Sequence, residues 1–302
     1  MKKAAWVFPG QGSQAVGMGV DLEGLPSAQA KFQLAEKILG WSVLDVCQGD
    51  EATLASTLYT QPCLYVVESI LFDLLAEKID APQLVAGHSL GEYVALYAAG
   101  VFDFESGLKL VKKRAELMHN SEGGKMAALM KFDREQLDEA LNKADDVVLA
   151  NDNSAAQVVI SGTPAGVEGV LEQVKAKRKM PLNVSGAFHS PLMQGAAEQF
   201  RAVLDAVEFR DAKIPVISNV DPNPSTDSQI LKDRLAQQMT GSVRWRETMA
   251  QFSALGVEKI MEVGPGKVLC GLIKRTCKEI ELEAIGTAAQ LEAKEPALVS
   301  SP

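Results

Sequence analysis

Histidine is scarce in this sequence, with three copies in 302 residues, and cysteine is little commoner, with four. No two cysteines form a C-x-x-C pair and none stands at metal-ligand spacing from a histidine, so no metal site is expected. Cys47, Cys63, Cys270 and Cys277 are expected as free, reduced thiols, the last two packed one heptad apart. Long apolar runs are missing too. No stretch reaches the roughly eighteen residues that a membrane-spanning helix requires. The basic start Met1-Lys2-Lys3 meets Pro9-Gly10 too soon for a signal-peptide core, and a cytoplasmic protein is expected. Positive charge is in deficit: 30 Lys and Arg against 39 Asp and Glu give a net charge of −9. That balance argues against nucleic acid as the main ligand and makes any polyanionic partner depend on a local basic patch. Two basic runs qualify, Lys175–Lys179 and Lys267 with Lys274 and Arg275, although both also read as solvated helix ends.

The remainder is ordinary globular material, 47% hydrophobic and 23% charged, enough for one large domain or two modest ones. Apolar runs at Ala4–Phe8 and Gln83–Gly87 predict short buried strands. Helical spacing covers Ser27–Leu39, Pro62–Lys78, Leu90–Ala99 closed by Gly100, and a helix after the N-cap Asp103 reaching His119. The middle of the chain then reads strand Met126–Phe132, helix Arg134–Lys143, strands Val147–Asn151 and Gln157–Ser161, helix Gly166–Lys177, strand Met180–Val184. This βαββαβ order is the ferredoxin-like pattern, and it predicts a small domain, 126–191, inserted into a larger one, 1–125 with 192–302. Beyond Pro191 come a helix, the strand Ile214–Asn219, and helices at Ser228–Gln238 and Trp245–Leu255. The strand Lys259–Val263 then runs into Gly264-Pro265-Gly266 and a further helix, and the last fifteen or so residues read as a loose tail. Strands alternating with helices on either side of the insertion predict an α/β fold with a mostly parallel sheet.

Gly87-His88-Ser89-Leu90-Gly91 matches G-x-S-x-G, with an apolar strand before it and a helix after it. A strained strand-to-helix turn exposes the serine oxygen, and the helix N-terminus offers backbone N–H groups to an oxyanion. The competing reading is a tight turn whose serine only caps the helix. A reacting serine needs a base. His88 diverges from its neighbour on the turn, and His119 ends a helix among polar residues. That leaves His189, in the small-residue loop Ser185–Pro191. No histidine follows it, unlike the usual hydrolase order in which the base lies near the C-terminus.

Arg114 is out of place. At 100° per residue with Val111 at zero, Leu108, Leu110, Ala115, Leu117 and Met118 span about −120° to +60°, and Arg114 falls at about −60°. A buried guanidinium needs an anion, either an internal carboxylate or a ligand's. Gly10-Gln11-Gly12-Ser13-Gln14-Ala15 fits a dinucleotide fingerprint, but a proline ends the strand and the stretch near Gly40 reads as helix. A loop whose backbone N–H completes an oxyanion hole suits it better.

Taken together these stretches resemble the malonyl-CoA:acyl carrier protein transacylases. The similarity runs from "FPGQGSQ" at Phe8 to "EVGPGKVL" ending at Leu269, through Gly87–Gly91, Lys112-Lys113-Arg114, "NDNSAAQVVISG", "GAFHSPLM", "PVISNV" and "SVRW". The resemblance implies an α/β-hydrolase-like core with an inserted ferredoxin-like domain. It implies Ser89 as nucleophile, His189 as base, and Gln11 and Leu90 as backbone donors of the oxyanion hole. It further implies Gln238 as the carbonyl that orients the histidine, and Arg114 as the clamp on the malonyl carboxylate. His88 and Phe188 border the substrate, His88 is not the base, and Phe188 matches the malonyl-selective form. The implied reaction is ping-pong: a malonyl-serine ester forms from malonyl-CoA and passes to the phosphopantetheine thiol of acyl carrier protein. No resident cofactor, no metal, and no membrane or nucleic-acid partner is expected, and the protein is expected to be a monomer. Two departures, Lys125 in place of a common glycine and Ala155-Ala156 in place of Pro-Gly, bear on loop shape in the insertion. A stand-alone acyltransferase of polyketide carriers, or a serine esterase or thioesterase, are the alternatives.

Overall fold

The computed structural model describes residues 2–184 and 186–294. Among them are nine strands: β1 (Ala4–Phe8), β2 (Leu84–Gly87), β3 (Lys125–Phe132), β4 (Val147–Ser154), β5 (Gln157–Gly162), β6 (Ala176–Pro181), β7 (Val216–Ile217), β8 (Lys259–Val263) and β9 (Glu281–Ile285). Five form a parallel sheet in the order β7-β2-β1-β8-β9. Their sequences, such as AAWVF and LVAG, are apolar almost throughout because helices cover both faces. Alternation along β1 shows it: Ala5 and Val7 pack with Trp245, Phe252 and Ile273, while Trp6 and Phe8 pack with Val67, Ile70 and Leu96 on the other side.

The other four strands form an antiparallel sheet in the order β4-β5-β3-β6. Helices Arg134–Lys143 and Pro164–Gln173 cover one face through Leu137, Ala140, Val167 and Val170. From the other face Met126, Ala128 and Val159 join the core of the parallel sheet. This is the mixed α/β architecture expected, with the βαββαβ order of its smaller sheet.

Several boundaries differ from expectation. The helix predicted from Pro62 starts at Thr57, because burial of Thr57, Thr60 and Gln61 recruits an extra turn ahead of the proline. The helix predicted over Gly166–Lys177 ends at Gln173, and the strand predicted over Met180–Val184 is β6, four residues earlier. Most of the run Lys175–Lys179, from Ala176 on, therefore lies on an exposed edge strand rather than at a helix end. Charge on an edge discourages pairing with another sheet. The strand predicted over Ile214–Asn219 keeps ladder pairing only at Val216–Ile217. Strand β9 and the helices Val43–Gln48 and Glu51–Ala55 were not delimited by periodicity. Part of the presumed tail is a short helix, Ala288–Glu292, while 295–302 lie outside the described residues. All four cysteines are free, with Cys270 half-buried and the other three buried. No helix among the described residues is long and apolar enough to cross a membrane.

Candidate active site

The carboxyl ends of parallel strands are where open α/β sheets bind ligands, at the point where strand order reverses. Here that point is β1, flanked by β2 and β8. The loop after β1 carries Gln11, and the turn after β2 carries His88 and Ser89. Ser89 has φ 52, left-handed backbone that a non-glycine residue adopts only when its surroundings hold it there. The two glycines of the motif make the turn possible. A Cβ on Gly87 would collide with the backbone of Gly91, and one on Gly91 with the Phe8 carbonyl. Asn219, just beyond β7, braces the turn: its Oδ1 accepts the Ser89 N–H at 2.7 Å and its Nδ2 donates to the Gly87 carbonyl at 2.6 Å.

Ser89 Oγ lies 2.8 Å from His189 Nε2. The other ring nitrogen, Nδ1, faces two backbone carbonyls, Gln238 at 2.9 Å and Gly241 at 3.2 Å. Carbonyls only accept, so Nδ1 carries the proton and Nε2 is left to accept from the serine. His189 also has left-handed backbone, φ 57. Burial, then the Arg114 guanidinium, push its imidazole down to about 3. It is therefore neutral near pH 7, the state in which it can take a proton.

Arg114 is 1% exposed. Its helix, Phe104–His119, packs closely against helix Thr57–Ala76 at Gly107, where a Cβ would strike the Tyr65 hydroxyl. Two turns on, the same face delivers the guanidinium to Gln61. Nη1 donates to Gln61 Oε1 at 2.6 Å, while Nη2 donates to Ser89 Oγ at 3.0 Å and Gln238 Oε1 at 3.1 Å. The Tyr93 ring lies 5.4 Å below. No carboxylate among the described residues bonds to it directly, and Glu92 acts on its charge only from a distance. Its hydrogen-bond partners are all neutral.

These groups open onto a cleft of about 290 Å³ between the two sheets, walled by Met118, Met126, Leu182, Val184 and Phe188. Gln11 and Leu90 line it as well, and neither backbone N–H has a hydrogen-bond partner among the described residues. Two free amides beside a serine–histidine pair can receive an oxyanion. His88 turns away from the serine: its Nε2 lies 2.8 Å from Asn153 Oδ1, and its ring meets Trp245 edge-on at 5.6 Å.

Gln61, Asn153 and Asn219 escaped sequence reasoning. Gln61 had a signal, a polar side chain in the otherwise apolar stretch that also holds Cys63–Val67. Asn219 had a weaker one, its place just past an apolar strand. The second basic feature is a cavity of about 450 Å³ at the β6 edge, lined by Met130, Lys131, Ala156, Lys177, Arg178 and Arg275. It joins cations from the two basic runs, which lie about a hundred residues apart in the chain.

Residues 5–299 match the acyl transferase domain family. The malonyl CoA-acyl carrier protein transacylase of Synechocystis sp. is 62% identical over 94% of this chain and 97% of its own length. A crystal structure of a Synechocystis sp. malonyl-CoA:ACP transacylase superimposes with a TM-score of 0.95 at 61% identity, covering 97% of this chain and all of that one. A polyketide biosynthesis malonyl CoA-acyl carrier protein transacylase of Bacillus subtilis is 43% identical over 91% of this chain and 98% of its own. With a serine on a strained turn, a histidine held by carbonyls and a buried arginine in one cleft, the chain belongs to the acyl transferase domain family, among the malonyl-CoA:acyl carrier protein transacylases.

Proposed function

We propose that this chain transfers the malonyl group of malonyl-CoA to the phosphopantetheine thiol of an acyl carrier protein, supplying fatty-acid synthesis. The observation that carries the reading is Arg114: a buried cation with no carboxylate bonded to it directly, 3.0 Å from the Ser89 hydroxyl in the cleft. A hydrolase of neutral acyl chains gains nothing from a desolvated guanidinium in its pocket. An acyl group that ends in a carboxylate gains an anchor.

Ser89 Oγ attacks the thioester carbonyl as His189 Nε2 takes its proton, and the Gln11 and Leu90 amides receive the oxyanion. Collapse expels the CoA thiolate, which leaves with the proton from His189, and a malonyl-serine ester remains. The carrier thiol then gives its proton to His189 and attacks the ester, and Ser89 recovers its proton as the acyl group departs. The Gln238 carbonyl takes the part of the aspartate in a triad, fixing the tautomer without a charge. Met126, Leu182, Val184 and Phe188 exclude water from the ester. Nucleophile, base and anion clamp all come from the chain, so no resident cofactor is proposed.

The acyl pocket opens between the two units proposed for the chain, 1–125 with 192–302 and 126–191. The basic cavity of Lys131, Lys177, Arg178 and Arg275 suits the CoA phosphates or an acidic carrier. We further propose that the protein works in the cytoplasm as a monomer. The identity shared with a polyketide biosynthesis enzyme favours a second reading, in which the carrier belongs to a polyketide synthase. Turnover with each carrier separates the two.

Intact mass after brief mixing with malonyl-CoA tests the chemistry. One malonyl group on the native chain and none on Ser89→Ala is expected. Rapid release of free malonate without a carrier would instead make the protein a hydrolase.

A further inference from the structure

Gln238 contributes more than a backbone carbonyl. Its side-chain amide is wholly buried and makes three hydrogen bonds. Oε1 accepts from Arg114 Nη2 at 3.1 Å, and Nε2 donates to the Ser89 carbonyl at 2.9 Å and to Glu92 Oε2 at 2.7 Å. Glu92 is 0% exposed, and the same Oε2 also accepts the Asn219 N–H at 3.2 Å. An acid, an amide and a guanidinium thus stand in line behind the serine.

An amide can lie either way round, since its two ends have nearly the same shape. Reversed, Gln238 would present N–H groups to a guanidinium that can only donate, and its oxygen to a carboxylate that can only accept. The anion on one side and the cation on the other therefore set the orientation. The arrangement also separates Glu92 from Arg114 by one amide. A carboxylate in direct contact would occupy the guanidinium and compete with an acyl carboxylate for it. Held one amide away, Glu92 balances the buried cation and leaves its open side to the cleft.

We propose that Glu92 is a positioning residue for acyl selection: its carboxylate fixes the Gln238 amide, which in turn holds the Arg114 guanidinium in the pose that receives the substrate carboxylate. The role rests on the malonyl-transfer reading above. It acts on malonyl and not on acyl groups without a carboxylate, because those make no use of Arg114. The Gln238 backbone carbonyl, which holds His189, is untouched by a turn of the side-chain amide.

The test is kcat/KM for malonyl-CoA and acetyl-CoA in the native chain, Glu92→Gln and Gln238→Met, with thermal midpoints measured alongside. Glu92→Gln is isosteric, removes the charge and turns one acceptor oxygen into a donor NH2. Gln238→Met removes the side-chain amide and keeps the carbonyl. Each is expected to lower the malonyl-to-acetyl ratio about tenfold or more, the size of a charge-assisted bond lost or made neutral. Acetyl transfer in Glu92→Gln stays within about threefold. Equal losses for both acyl groups, or an unchanged ratio, overturn the proposal. So does a collapse of folding in both variants, since the pair would then be structural. A native chain that fails to transfer malonyl at all refutes the functional reading instead.

Discussion

Replacing Arg114 by methionine separates anchoring of the acyl carboxylate from the rest of catalysis. Methionine keeps an apolar stem against the Tyr93 ring and removes the charge. A guanidinium and a carboxylate about 4 Å apart attract by about 4 kcal/mol at an effective dielectric constant near 20. Part of that is offset, because Nη2 leaves the hydrogen bond it makes to Ser89 Oγ, which contributes about 1 kcal/mol. The net loss of about 3 kcal/mol is roughly a hundredfold or more in kcat/KM for malonyl-CoA. Acetyl transfer is expected to persist or rise. It carries a second signature. The guanidinium helps hold the His189 imidazole down, so its removal raises that pKa and moves the acidic limb of acetyl transfer to higher pH. The fold should survive. Gln61 Oε1, Gln238 Oε1 and Ser89 Oγ lose a donor and Glu92 loses the cation that balances it, while a desolvated guanidinium is also gone, so a net loss of about 3 kcal/mol is expected. The assay is steady-state transfer from each CoA ester, with a pH profile on the acetyl reaction. Parallel loss of both activities would refute the reasoning and make Arg114 a structural residue.

Asn219→Ala strips partners from the Ser89 N–H and the Gly87 carbonyl, and about 3 kcal/mol of stability should be lost in denaturant titration. His189 also predicts a pH dependence of folding. Its folded pKa of about 3 lies below the ordinary 6.5, so the unfolded chain binds the proton first. The stability is fully present above pH 6.5 and falls by up to about 1.4 kcal/mol per unit as pH drops from there towards 3. In His189→Gln that part of the slope should vanish from unfolding curves at pH 4 to 7. Neutralising Arg178 and Arg275 together should raise KM for the carrier protein and weaken its salt dependence, with the rate of Ser89 malonylation at saturating malonyl-CoA unchanged. A carrier KM independent of both residues would place docking elsewhere.

Much of this was legible in the chain because local chemistry left a mark. The serine turn needed glycines two positions either side. Arg114 broke an apolar stripe, and the scarcity of histidine left His189 as the candidate base. What stayed hidden depended on contacts across the fold. The Gln238 carbonyl has no side-chain signature, and its role entered only through family resemblance. Asn153, Asn219 and Gln61 are ordinary polar residues whose use appears once distant segments meet. The boundary errors have a similar cause. Lys175–Lys179 has helix-forming composition, but pairing of β6 with β3 overrides propensity. Strand β9, with Glu281 and Glu283 among its five residues, owes its existence to the neighbouring β8.

The left-handed backbone at Ser89 and His189 bears on what selection can do with this protein. Glycine at Ser89 would relax the chain by about 1 kcal/mol or more and abolish the hydroxyl, whereas at His189 the buried imidazole and its bonds to two carbonyls would be lost with the strain. A library screened for heat resistance alone should therefore enrich Ser89→Gly among its survivors. At the Ser89 position durability and turnover would pull in opposite directions, so any stabilising programme has to find its gains elsewhere in the molecule.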